Sequence, residues 1–105
     1  MEGRVEVKYE GVWGTICSKD WDIRDANVIC RELGFTRAVD NATAKTFGPG
    51  AGKIILDGLE CLGDENSLSM CVSRGWGIAR PACTHDSDVG VICEIVKGKY
   101  ETKVL

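Results

Sequence analysis

The sequence has no apolar run approaching the roughly 20 residues needed to cross a bilayer, and Met1 opens directly onto charged Glu2 rather than an apolar signal segment. Membrane insertion is therefore not expected, and the chain reads as a soluble domain excised from a longer protein. It also lacks a basic stripe. Thirteen Lys and Arg are dispersed among sixteen Asp and Glu, for a net charge of −3, so nucleic acid is not an expected partner. There is no C-x(2–4)-C arm, the short chelating turn with which zinc ribbons and fingers seat two thiolates on one metal, and no C-x-x-C redox pair. EF-hand and G-x-S-x-G patterns are absent too. With 105 residues there is room for one domain and one core.

What the chain does have is six cysteines, Cys17, Cys30, Cys61, Cys71, Cys83 and Cys93, never closer together than nine intervening residues. An even, widely spaced set with no metal-binding arm points to three disulfides in an oxidising compartment. Six cysteines allow 15 pairings, and counting cannot choose among them.

Periodicity then places the elements. Gly3 to Ile16 reads as a hairpin, with Val5, Val7 and Tyr9 alternating with charged residues before a turn at Glu10-Gly11. From Asp22 the period changes: Ala26, Ile29, Cys30 and Leu33 form the apolar stripe of a helix, with Asp22 as N-cap, Asp25 in the first turn and Gly34 just past the end. Thr36 to Lys53, rich in glycine near its end, is expected to be a long surface loop carrying the sequon Asn41-Ala42-Thr43, which either bears a glycan or is an unused tripeptide. Lys53 to Leu56 and Val89 to Cys93 read as buried strands, and Asp64 to Met70 as one or two helical turns capped by Asp64. Residues 1–95 are expected to be the domain and 96–105 a C-terminal tail or linker.

Two motifs imitate catalysis. Gly48 to Lys53 resembles a phosphate-binding loop, but Phe47 stands where its first glycine belongs and Ile54 where its Ser or Thr belongs, so a turn-rich loop is the better account. The lone His85 has Asp86 and Ser87 as chain neighbours, which does not make a triad, and it is expected to hydrogen-bond locally. Asp20 and Asp22, and Asp86 and Asp88, are either solvated capping carboxylates or part of a calcium site.

Taken together, Gly3-Arg4-Val5-Glu6-Val7, Trp13-Gly14-Thr15-Ile16-Cys17, Asp25 through Phe35, Gly48 through Asp57, Cys61 through Leu68 and His85 through Cys93 resemble, in order, the scavenger receptor cysteine-rich (SRCR) domain, in its six-cysteine, group A form. The resemblance implies the pairs Cys17 with Cys83, Cys30 with Cys93 and Cys61 with Cys71. It implies a compact, disulfide-rich α+β fold, a curved antiparallel sheet cradling one main α-helix, with a second sheet or hairpin and a short second helix. It further implies a non-catalytic extracellular module, secreted or in the ectodomain of a membrane protein, such as those of scavenger receptors, innate-immune proteins and some secreted enzymes. The expected partner is an extracellular protein or a polyanionic or microbial surface ligand, and the isolated domain is expected to be monomeric.

In many members of that family calcium sits on two aspartates immediately after the first cysteine and on a glutamate of a His-x-Glu-Asp segment. Here those positions are Ser18, Lys19 and Ser87. At an effective dielectric near 20, two unit charges about 4 Å apart interact by about 4 kcal/mol, so Lys19 alone opposes a cation. The main site is expected to be degraded and no cofactor required, with Asp20, Asp22, Asp57, Asp86 and Asp88 as the remaining candidate ligands. Arg4 and Lys19 are candidate contacts for an anionic ligand, and Trp21 and Trp76 candidate anchors wherever they are exposed. Two binding modes follow, a calcium-bridged one and a cation-independent protein-contact or spacer role. The resemblance also implies a short strand some eight to ten residues before Gly3-Arg4-Val5-Glu6-Val7, where this sequence has Met1-Glu2; either the chain is trimmed there or the tail from Val96 to Leu105 does some of that work, with Tyr100 to Leu105 expected to pair at an edge.

Overall fold

The computed structural model describes residues 1–96 and 102–105, and within residues 41–45 the backbone only. Two three-stranded sheets and one main helix enclose the core. In chain order the elements are β1 (Glu2–Arg4), β2 (Val7–Tyr9), β3 (Val12–Ile16), α1 (Ile23–Glu32), β4 (Arg37–Thr43), α2 (Ala44–Phe47), β5 (Lys53–Leu56) and β6 (Val89–Glu94), with 3-10 turns at Leu68–Met70 and His85–Ser87. This is the compact α+β architecture that the sequence led us to expect.

The first sheet has the order β1-β6-β4 and is antiparallel; the second has the order β2-β3-β5, with β2 antiparallel and β5 parallel to β3. The expected hairpin strand from Gly3 to Tyr9 is therefore two strands. Val5 N–H still donates to Val89 O, 3.0 Å, in the first sheet, and from Val7 the chain pairs with Gly14 in the second. Alternation cannot reveal such a transfer, because it preserves the inward face on both sides of the break.

The region expected to be a surface loop also differs. Arg37–Thr43 forms β4 along β6, with a register shift between Ala38 and Asp40 that breaks the alternation. Asp64 caps nothing: Ser67 caps the turn at Leu68–Met70, its Oγ accepting from Ser69 N–H at 3.3 Å. Tyr100 and Glu101 lie outside the described residues; Thr102 to Leu105 form no strand, and Val104 and Leu105 are fully exposed.

Helix α1 follows its sequence signals. Asp22 accepts from Arg24 N–H at 2.9 Å, and Asp25 Oδ2 accepts from Asp22 N–H at 2.8 Å, the reciprocal capping box. Asp25 is fully buried, and its Oδ1 accepts from Cys61 N–H at 2.7 Å, tying the helix start to the disulfide loop. Burial pushes this carboxyl up to about 6, against the pull of its two N–H donors. Ala26, Val28, Ile29 and Cys30 face the core, whereas Leu33, expected on the buried stripe, is the C-cap and largely exposed. Gly34 takes the left-handed conformation (φ 94°) that stops the helix.

The disulfides join Cys17 to Cys83, Cys30 to Cys93 and Cys61 to Cys71. Cys30, Cys93 and Cys61 belong to one core cluster with Ile16, Trp21, Val28, Ile55, Leu56, Leu59, Val89 and Val91. Sheet closure at β3 and β5 requires glycine at 14, where a Cβ would stand 2.5 Å from both Ile55 Cγ1 and Lys53 O.

Candidate functional site

The Cys17–Cys83 bridge and an isolated β-bridge between Cys17 and Asp88 bring the turn after Cys17 against the turn at His85–Ser87. Ser18 N–H donates to Ser87 O at 2.7 Å, so two positions from remote segments stand side by side, with Lys19 exposed beside them. The chemistry presented here is two hydroxyls and an ammonium.

Of the acidic residues nearby, Asp57, Asp88 and Asp22 are engaged elsewhere, whereas Asp20 and Asp86 are exposed. Asp57 is fully buried and held by the fork of Arg80: Nε donates to Oδ2 and Nη2 to Oδ1, each at 2.8 Å, while Arg80 N–H adds a third donor at 2.8 Å. That guanidinium, through its hydrogen bonds first and against the cost of burial, holds the Asp57 carboxyl at about 2. Asp88 is equally buried. Its Oδ2 accepts from Gly50 N–H at 2.7 Å and lies 2.9 Å from His85 Nδ1, while Oδ1 has no partner among the described residues. Asp22 is the N-cap of α1 and pairs with Arg24 at 2.7 Å; Asp20, in the left-handed conformation (φ 65°), is exposed, with Arg80 Nη2 at 3.9 Å; Asp86 is exposed in the 3-10 turn. Among the described residues, the groups of three or more metal-ligating side chains with converging donor atoms are Cys17, Asp57 and Cys83, and Cys61, Glu65 and Cys71, and both draw their sulfurs from disulfides.

His85 holds the Gly48–Lys53 segment in place. Its Nε2 lies 2.9 Å from Gly52 O and its Nδ1 faces Asp88, so two acceptors favour the doubly protonated ring, and the Gly52 carbonyl first and Asp88 second raise its pKa above the usual histidine range. Thr15 Oγ1 approaches the same Nδ1 at 3.4 Å. Hydroxyl and carboxylate thus compete for one nitrogen, with no second nitrogen free to act as a base, and the geometry is not that of a relay. Arg4, half-buried, reaches over the same segment, with Nη2 2.9 Å from Glu6 and Nη1 3.4 Å from Pro49 O, and works as a structural tie as much as a surface cation.

Trp21 is in the core, Trp76 is half-buried against Tyr9 with ring centroids 5.4 Å apart, and Trp13, which sequence reasoning did not single out, is 59% exposed on β3. Also missed were Arg80 as the partner of Asp57, which no local pattern announces, and the exposed cluster of Leu62, Met70 and Val72 beside the Cys61–Cys71 bridge. Asn41 lies on β4, at the free edge of its sheet, opposite Val91; its side chain is outside the described set.

Comparison with known proteins points the same way as the fold. The family model of the scavenger receptor cysteine-rich domain matches residues 1–94. Over 93 residues the chain is 53% identical to lysyl oxidase homolog 3B of Danio rerio, covering 89% of this chain and 11% of that protein; over 92 residues it is 48% identical to galectin-3-binding protein of Rattus norvegicus, covering 88% and 16%. Among solved structures it is similar to the SRCR domain of mouse MARCO in its dimeric form (TM-score 0.81, 45% identity, 90% of this chain and 87% of that one) and to the third SRCR domain of murine neurotrypsin (TM-score 0.78, 44% identity, 91% and 88%).

Proposed function

The chain belongs to the scavenger receptor cysteine-rich domain family, and on that premise we propose that it is a non-catalytic extracellular module that recognises a macromolecular ligand through its surface loops without a bridging cation. The observation that carries this reading is the apposition of Ser18 and Ser87, with Lys19 exposed beside them, at the positions where the family resemblance implies carboxylates. The donors do not suit calcium, which takes six to eight hard oxygen ligands; Asp57 is committed to Arg80 and Asp88 to His85 and Gly50. A net charge of −3 adds no long-range attraction for polyanions. Protein contact is therefore favoured over polyanion capture. The module covers only a small share of the curated relatives it matches, so their enzymatic or assembly functions do not transfer to it. In this reading residues 1–95 form the module and 96–105 are a C-terminal tail or linker.

Calorimetric titration with calcium tests the proposal. We expect no saturable heat at about millimolar calcium, the weak end of extracellular calcium sites. A saturable heat that disappears on changing Asp20 and Asp86 to Ala would establish the cation-bridged mode instead.

A further inference from the structure

Beside the Cys61–Cys71 bridge lies an open cleft of about 620 Å³ between the start of α1 and the disulfide loop. Its apolar part is Leu62, Met70 and Val72, exposed by 77%, 62% and 67%. The three are gathered by covalent and hydrogen-bonded constraint: Cys61 and Cys71 are crosslinked, and Glu60 N–H donates to Val72 O at 2.7 Å. Their backbone is held in place while their side chains meet solvent, and clustered exposed apolar groups of this kind mark contact surfaces.

The net charge around them is negative. Asp20, Asp22, Glu60 and Glu65 border the cleft against the single cation Arg24, a local formal charge of −3 that matches that of the whole chain. Arg24 is paired to Asp22, and Arg80, the near neighbour of Asp20, has its fork on Asp57. Glu65 receives the N–H groups of Leu62 and Gly63 at 2.8 Å, and the cation that Glu60 acts on is Arg24, already paired to Asp22. These carboxylates are spread along the rim rather than converging, and the donor cluster that includes Glu65 is completed by the two disulfide sulfurs, so the arrangement does not suit a metal ion. The same charge repels polyanions and anionic membranes.

We propose that this cleft docks an extended peptide segment of a partner protein in which Lys or Arg alternates with apolar side chains. The apolar groups settle on Leu62, Met70 and Val72, and the cations face Asp20, Glu60 and Glu65. The inference rests on the protein-contact reading above and names the chemistry of the partner.

The test uses the folded chain, isotope-labelled, with acetyl-Lys-Leu-Lys-Leu-Lys-amide as probe and acetyl-Glu-Leu-Glu-Leu-Glu-amide as control, followed by amide chemical shifts at about 50 mM salt, where screening is weak. We expect shifts at Glu60 to Gly63 and Met70 to Val72 with the basic peptide alone, and a dissociation constant raised about tenfold or more by Glu60→Lys and by Met70→Ser. Glu60→Gln and Leu62→Ser, checked by thermal melting, serve if either variant fails to fold. Shifts located elsewhere, equal response to the acidic peptide, binding unchanged in the variants, or the same amides responding to calcium but not to the peptide would each overturn it. Chelator-insensitive binding of a macromolecular ligand at another face would sink the cleft and leave the module reading standing.

Discussion

Asp57 has no solvent exposure, and a carboxylate so placed remains ionised only because Arg80 supplies three donors to it. Its ordinary value of 3.8 falls to about 2 in the fold. A depressed acid stabilises the folded state above the unfolded value and loses that contribution as pH falls from 3.8 towards 2, so the pair is worth about 2 kcal/mol near neutrality. Urea unfolding at about pH 6 and about pH 2 should show the wild type losing about 2 kcal/mol more than Asp57→Asn over that interval; equal losses would mean that the Arg80 fork does not set the titration. At this scale the sequence was partly legible. His85 was expected to bond locally, and its two acceptors, Asp88 and the Gly52 carbonyl, include one that is three residues away. Asp57 and Arg80 are 23 positions apart, and nothing in either neighbourhood announces the other.

Helix α1 shows what an element takes from its own residues. Asp22, Asp25 and Gly34 set its ends because unsatisfied backbone N–H groups and a left-handed stop are local needs met by local side chains. Replacing Asp22 with Ala removes the bond to Arg24 N–H and should cost about 1 kcal/mol in thermal or urea unfolding, while Asp22→Ser should retain most of it; an Ala variant as stable as the wild type would show that the tie from Asp25 to Cys61 sets the helix start without help. The strands were less legible. In β4 the shift between Ala38 and Asp40 breaks the alternation, and the capacity to pair comes from β6, some 50 residues on. Likewise the turn at Leu68–Met70 is placed by Ser67, whose hydroxyl also donates to Glu32 on α1 at 2.8 Å, rather than by Asp64.

On the scale of the whole molecule, the crosslinks differ in what they hold. Cys30–Cys93 staples the buried face of α1 to the central strand of its sheet across a separation of 63 residues, whereas Cys61–Cys71 closes a loop with a separation of 10. The chain-entropy model credits them with about 4 and about 2.5 to 3 kcal/mol. Replacing Cys30 and Cys93 by Ala should therefore lower the melting temperature more than replacing Cys61 and Cys71, and the reverse order would show that the short loop anchors the fold. Removing the short bridge would also loosen the cleft of Leu62, Met70 and Val72. By itself the sequence determined the helix with its caps, the β5 and β6 strands and the disulfide-rich character, because periodicity, capping and cysteine spacing act over a few residues or are simple counts. Only the tertiary structure decided that the chain changes sheet between Arg4 and Val7, that Asp57 is claimed by Arg80, and that an acidic cleft forms around exposed apolar side chains. Each of these depends on which remote segments share a contact once the core has closed, and contact between remote segments leaves no periodic trace in the chain.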